Sequence, residues 1–286
     1  MNTIDIPIAV TGPGTQPAEA DGAELDILQM PSGMATFESP ELPEPEEVQG
    51  LDAGIQLLGE LQQQLANWSA DSSEPVLELD KLDDANLELI DQVLGEGEVS
   101  IMFENGIKAR IQESVLAGVW RIRFVDELDN IVCDTLEVGP IPSLISNSTF
   151  GDAAARLNID EAAIPEGVLN APPLVAEIND KVEEHEPGNM PHVINLTLLP
   201  QTESDLAYLT DQLGQGAVTI LSRGYGNCRI TSTAVRNVWW VQYFNSQDAN
   251  ILNSIEVGDV PEVACAAPED IADSADRLDE ILEIYR

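Results

Sequence analysis

Apolar residues recur along this chain in two rhythms. Between Ala53 and Trp68 they fall three and four apart, with Ile55, Leu58, Leu61 and Leu65 on one stripe, the spacing of a helix with one buried face. A short alternating run, Val76–Leu79, leads to a second helical stretch over about Asp83–Leu94. The period then drops to two. Val99–Phe103, Lys108–Glu113, Val119–Val125 and Ile131–Val138 alternate apolar and polar residues as half-buried strands do. Asn105-Gly106 between the first two is a hairpin turn signal. The gaps are too short for helical crossovers, so these strands predict a mainly antiparallel sheet.

The whole pattern occurs twice. LGEGEVSI at 94–101 returns as LGQGAVTI at 213–220. A shift of 119 positions aligns Leu87–Pro142 with Leu206–Pro261 without a gap, and about fifteen of roughly 56 pairs are identical. Gly95/Gly214 and Gly97/Gly216 follow helical stretches, as helix stops should. Beyond the ungapped part, Asp152, Ala154, Arg156 and Leu157 match Asp273, Ala275, Arg277 and Leu278 with a two-residue slip. Upstream, the helical stretch Leu174–Glu184 and the short run Ile194–Leu199 stand where Ala53–Trp68 and Leu77–Leu82 stand in the first copy. A last helix is expected to close each unit. It is well marked in the second, with Pro268 near its start, acidic Glu269 and Asp270 in the first turn, and Ile271, Ala275, Leu278 and Ile281 on one face. The reading is α+β: two tandem, duplicated units, each a mainly antiparallel sheet with helices on one face, spanning 51–165 and 166–286. Two such sheets could form a cleft between them.

Residues 1–50 break the rhythm. GPGTQP at 12–17 and SPELPEPEE at 39–47 make an acidic, Pro-rich arm without periodicity, whose apolar islands (27–30 and 34–37) could dock on a groove or a partner. Charge sharpens the picture. The 286 residues carry 52 acidic and 12 basic side chains, a formal net charge of -40, and no Lys or Arg precedes Lys81. That field repels nucleic-acid phosphates and anionic membranes and attracts a basic partner. No apolar run is long enough for a membrane span, and Met1–Val10 lacks the basic start of a signal peptide, so a cytoplasmic protein is expected.

Candidate chemistry is sparse. Cys133, Cys228 and Cys265 are scattered and unpaired in spacing, and His185 and His192 flank a Pro-Gly-Asn-Met-Pro turn, too few soft ligands for a metal or cluster site. No serine elbow, His-Glu-x-x-His or phosphate loop occurs, and Gly95-x-Gly97 lacks the context of a dinucleotide site. No catalytic residue and no cofactor is therefore assigned, and a non-enzyme is expected. The copies themselves point to candidate contact residues. Where the first has Arg121, Arg123 and Val125 on one face of a strand, the second has Trp240, Gln242 and Phe244, a more apolar face that is either covered by the chain or offered to a partner. Where the first has the ordinary turn Glu104-Asn105-Gly106, the second has Arg223-Gly224-Tyr225-Gly226-Asn227-Cys228, a candidate contact loop.

Several phrases in order resemble the hydrogenase expression/formation proteins of the HupH/HyaF family: Gly12–Pro17 (GPGTQP), Leu94–Ser100, Gly118-Val119-Trp120, His192 with Ile194-Asn195-Leu196-Thr197, Gly224-Tyr225-Gly226, Pro261-Glu262-Val263, Ala267-Pro268-Glu269-Asp270 and Asp273-Ser274-Ala275. The resemblance spans nearly the whole chain. It implies a non-enzymatic maturation factor for a [NiFe]-hydrogenase, acting on the small-subunit precursor, which carries iron–sulfur clusters and an export signal, beside a thioredoxin-like accessory protein. It draws His192, Asn195 and the Gly224–Gly226 loop into the candidate contact set and carries over no catalytic residue. Two other classes stand beside it: an iron–sulfur or metal carrier using the three cysteines, and an acidic mimic of nucleic acid.

Overall fold

The computed structural model describes residues 42–70, 75–158, 164–224 and 226–286. In the first half, α1 (Asp52–Asn67), β1 (Leu77–Glu78) and α2 (Asp84–Leu94) precede four consecutive strands, β2 (Val99–Asn105), β3 (Ile107–Glu113), β4 (Val119–Val125) and β5 (Ile131–Val138), and a short α3 (Ser143–Ser148). The second half repeats the order with α4 (Ala171–Glu184), β6 (His192–Asn195), α5 (Glu203–Leu213), β7 (Val218–Ser222), β8 (Asn227–Ser232), β9 (Val238–Phe244), β10 (Asn250–Val257) and α6 (Pro268–Tyr285). Most of the expected arm, with both apolar islands, lies outside the described residues. Its last stretch, 42–50, is packed: Val48 is buried against α1 and α2, and the Tyr285 hydroxyl donates to the Pro43 carbonyl at 3.1 Å.

The ten strands form one antiparallel sheet in the order β1-β5-β4-β3-β2-β7-β8-β9-β10-β6. The cleft anticipated between two sheets does not form, because the sheets join edge to edge. β2 pairs antiparallel with β7, with Ile101 opposite Ile220, Val99 opposite Ser222 and Phe103 opposite Val218. Ile101 and Ile220 are the same position in the two copies, so the seam is a strand paired with its own duplicate about a local two-fold. An edge strand left open on each unit would be a template for aggregation; pairing the two removes both edges at once.

This seam explains the doubled phrase. Gly95 and Gly214 end α2 and α5 with positive φ, 53° and 62°, a region that favours glycine. Two residues on, Gly97 and Gly216 donate to the Glu113 and Ser232 carbonyls at 2.7 and 2.8 Å. A Cβ at Gly97 would lie 2.2 Å from the Ser114 carbonyl oxygen, and one at Gly216 would lie 2.4 Å from Ser232 Oγ. Each glycine pair thus turns the chain from helix into seam strand within one tight approach.

One face of the sheet carries helices at both ends. α1, α2 and α6 cover the β4–β5 end, and α4 and α5 cover the β9–β10 end. The opposite face buries Ile101, Phe103, Trp120, Ile220 and Trp239 beneath α3 and the 3-10 turn Glu262–Ala264. Phe150 meets Trp239 edge-on there, with ring centroids 5.1 Å apart.

The closing segments exchange sides. Helix α6, from the second half, packs Ile271, Ala275, Leu278 and Leu282 against Leu57, Leu58, Leu61 and Leu65 of α1. In return, Leu157 of the first half is buried with α4 and α5, where Asn179 holds its N–H and carbonyl at 2.8 and 3.0 Å. Leu157 and Leu278 are aligned positions. Among the described residues the expected closing helix forms only in the second copy. In the first, residues 152–157 run irregularly, with Ala154 bridged to Val235 and Leu157 held at both backbone groups by the Asn179 side chain.

The inner helix starts show the duplication at atomic scale. Asn86 and Asp205 are aligned. Asn86 Oδ1 accepts from Gly54 N at 2.8 Å, tying α2 to the start of α1. Asp205 is fully buried; its Oδ1 accepts from the N–H groups of Leu169, Asn170 and Ala171 at 2.8, 2.8 and 3.0 Å, and its Oδ2 accepts from Thr202 N and Oγ1 at 3.1 and 2.8 Å. Burial alone would raise this carboxyl's pKa, but those donors favour the anion and hold it well below the usual carboxylate range. One carboxylate thus caps α5 and anchors the start of α4.

Candidate functional site

Among the described residues no helix covers the middle of the sheet face between the two helix groups. Pairing register places rows of side chains across it, because residues directly opposite on neighbouring strands share a face. One row runs Asp134, Arg123, Arg110, Met102, Thr219, Thr231, Trp240. The next runs Arg121, Gln112, Ser100, Leu221, Arg229, Gln242, Asn253. Five of the 12 basic side chains, Lys108, Arg110, Arg121, Arg123 and Arg229, lie on this face of an otherwise acidic chain.

Two recesses open on it at positions related by the duplication. The first, about 590 Å³, is lined by Glu96, Met102, Arg110, Gln112, Arg121 and Arg123 among others. The second, about 310 Å³, is lined by Thr210, Gln215, Arg229, Thr231, Trp240 and Gln242 among others. Glu96, Arg110, Gln112, Arg121 and Arg123 align with Gln215, Arg229, Thr231, Trp240 and Gln242. The same place in the fold therefore carries two chemistries.

In the first recess the wall is ionic. Arg121 Nε and Nη2 reach Asp134 at 2.9 and 2.7 Å, and its Nη1 pairs with Asp91 of α2. Arg123 Nε stands 3.5 Å from Asp134, and Arg110 pairs with Asp129 at 2.8 Å. Burial, then the neighbouring Arg121, pulls the Arg123 pKa below its ordinary value. Around the second recess Arg229 keeps the charge of Arg110, but the groups aligned with Arg121, Arg123, Asp91 and Asp134 are neutral: Trp240, Gln242, Thr210 and Asn253. Trp240 Nε1 donates to Asn253 Oδ1 where Arg121 pairs with Asp134. Thr210 stands in the place of Asp91 and returns its hydroxyl to the Leu206 carbonyl at 2.8 Å, into its own helix rather than toward the strand. Gln242 is 2 % exposed, and its Nε2 has no hydrogen-bond partner.

The candidate contact residues from the sequence scatter. Trp240 and Phe244 are 8 % and 7 % exposed, so the chain itself covers most of that apolar face, although Trp240 also lines the second recess. Cys228 is no loop thiol. Its side chain points to the opposite face, 1 % exposed beside Ile230 and Tyr243, and burial pushes its pKa up to about 12. Tyr225 lies outside the described residues. Arg223 and Gly224 pack back on the seam: Arg223 N donates to the Glu98 carbonyl at 3.1 Å, and a Cβ at Gly224 would lie 2.0 Å from the Glu98 carboxylate. Gly226 carries positive φ at the hairpin tip. His192 Nε2 meets Glu177 Oε1 at 2.7 Å, and Asn195 Oδ1 accepts from Leu198 N at 3.3 Å as a local cap. His192 and Asn195 sit on β6, at the far end of the sheet from the seam. Among the described residues no group of three His, Cys, Asp or Glu side chains could hold a metal ion, and no helix is long and apolar enough to cross a membrane. Comparing only strand faces missed Thr210 and Asn253; aligning Asp91 and Asp134 with their duplicates finds them.

The duplicated α+β fold thus presents recesses lined by arginine, amide and indole side chains. The comparisons identify its family. The HupH hydrogenase expression protein C-terminal conserved region matches twice, over residues 51–163 and 168–285, and the chain belongs to this family of hydrogenase expression/formation proteins. The hydrogenase expression/formation protein HoxQ of Cupriavidus necator is 45% identical over 99% of this chain and 98% of its own length. The hydrogenase-1 operon protein HyaF of Escherichia coli is 33% identical over 95% of this chain and 94% of its own. A solved structure, the hydrogenase expression protein HupH of Thiobacillus denitrificans, is 32% identical over 39% of this chain and 92% of that chain, with a TM-score of 0.37.

Proposed function

We propose that this protein is a non-enzymatic factor of hydrogenase maturation that binds the precursor of the [NiFe]-hydrogenase small subunit during iron–sulfur cluster insertion and before export, working in the cytoplasm beside a thioredoxin-like accessory protein. The observation that carries the coarse role is the family match across both repeats, with relatives named for hydrogenase expression and formation over nearly their whole length. The finer role is supported by chemistry. A binding factor needs surfaces, and the sheet offers two recesses of different character side by side. A net charge of -40 would speed encounter with a basic export segment.

The test is capture of the purified small subunit, made with and without its export segment, by this protein. Capture of both forms, or of the signal-bearing form alone, supports the reading, and the contrast separates recognition of the body from recognition of the signal. No capture of either form, with the thioredoxin-like protein also present, refutes it.

A further inference from the structure

The second recess holds an unfinished set of interactions, and duplication shows what is missing. In the first half, α2 sends Asp91 across to Arg121, and Arg121 is shared with Asp134, so helix, strand β4 and strand β5 are bound by one charged cluster. In the second half every member of that cluster is neutral: Thr210, Trp240 and Asn253. The indole turns aside to Asn253, and the threonine turns back into its own helix. Beside them the Gln242 side-chain amide is buried without an acceptor. A buried donor left without an acceptor carries an uncompensated desolvation cost, which a fold retains where something else supplies the partner.

We infer that the recess between α5 and strands β8 and β9 is a binding pocket for one apolar side chain of an extended polypeptide, packed on the Trp240 indole, with the adjoining main-chain carbonyl accepting from Gln242. Each part of the occupant follows from the lining. The indole offers an apolar wall, so the group on it is apolar. The free donor calls for an acceptor. Asp211 and Arg229 line the recess with opposite charges that offset one another, and the net charge of -40 on the chain as a whole then selects a neutral acceptor over a carboxylate. A volume of about 310 Å³ holds one large side chain and its peptide group but not a folded element. In taking the occupant to be a polypeptide, the inference rests on the reading of this protein as a binding factor. The arginine recess across the seam takes no part in it, because its cations are already paired with Asp91, Asp129 and Asp134.

The probes are N-acetyl-L-tryptophanamide and N-acetyl-L-leucinamide, titrated into the full-length ¹⁵N-labelled protein and followed by NMR, with acetamide as the carbonyl lacking a side chain. Saturable shifts of the Gln242 side-chain amide and the Trp240 indole N–H are expected, with a dissociation constant of about 1 mM or below, and no such shifts with acetamide. Gln242→Leu should weaken binding about tenfold, the loss of one hydrogen bond to a desolvated partner. Thr231→Phe should fill the recess and abolish binding while core resonances stay in place. No saturable shift up to about 20 mM, or equal affinity in the wild type and both variants, overturns the inference. Should Thr231→Phe fail to fold, Gln242→Leu decides alone. Amide binding without capture of the hydrogenase subunit would sink the functional reading and leave the pocket standing; capture without amide binding would do the reverse.

Discussion

Glu113 ends β3 with its carboxyl almost out of water, and replacing it with glutamine should change how stability depends on pH. The side chain is 8 % exposed, and Oε1 accepts from Gly118 N at 3.3 Å. Desolvation, with the like charges of Glu98 and Asp270, lifts its pKa from 4.5 to about 7 against the backbone donors. The sign follows from linkage. Below pH 4.5 both states hold the proton and the group costs nothing. Between pH 4.5 and 7 the unfolded chain ionises while the folded one keeps its proton, so stability falls as pH rises. Above 7 the full penalty stands, about 3 kcal/mol from a shift of this size. Glutamine keeps the acceptor for Gly118 and cannot ionise. Urea denaturation of wild type and Glu113→Gln at pH 4.5 and pH 8 should therefore show a stability difference that moves in favour of the variant by about 3 kcal/mol between the two. Carboxylates not coupled to Glu113 contribute equally to both proteins and cancel in that difference. The same difference at both pH values would refute the argument that Glu113 is buried protonated.

Three further outcomes are expected. Leu278→Ala should cost about 3 kcal/mol, and hydrogen exchange should report the loosening in α1, Asp52–Asn67, rather than in the half that encodes residue 278, because that leucine fills the first half's core. Asp205→Asn should cost about 2–4 kcal/mol at pH 7, since one carboxylate oxygen is replaced by an NH2 donor, facing either Thr202 N or the three N–H groups of residues 169–171; because the Asp205 pKa is depressed on folding, its contribution is present above the ordinary aspartate pKa and lost as pH falls, so the wild-type and variant denaturation midpoints should converge in acid. Cys228 should resist iodoacetamide at pH 8 in the native protein and react once urea unfolds it, as peptide mapping of the alkylated chain would show.

Much of the layout was legible in the order of residues. The alternation over Val119–Val125 marks β4 to its ends, and the Pro268 start and Ile271–Ile281 stripe mark α6. What alternation cannot carry is the identity of a neighbour. Val99, Ile101 and Phe103 announce a buried face, yet a strand at an edge and one in the middle of a sheet share that pattern, so the seam between β2 and β7 was invisible. The exchange of closing segments was hidden for a similar reason: an apolar stripe says that α6 must be covered, not by which half. Cys228 misled because it follows a glycine hairpin, while its place is set by strand period two residues into β8. The second recess was half visible. The change from arginines to Trp240 and Gln242 is plain in the repeat, but its meaning depends on Thr210 and Asn253, which become neighbours only when helix and strands pack.

The crossing of α6 onto α1 has a consequence for synthesis. Some 200 residues separate the end of α1 at Asn67 from Pro268, where α6 begins. At about 5–20 residues per second a ribosome needs roughly 10–40 s to traverse that interval. Throughout it the leucines of α1 wait for the surface that will cover them, while β2 waits for β7. The first half thus emerges as an open-edged nascent chain whose folding is deferred, with its acidic side chains as the feature that opposes self-association during those seconds.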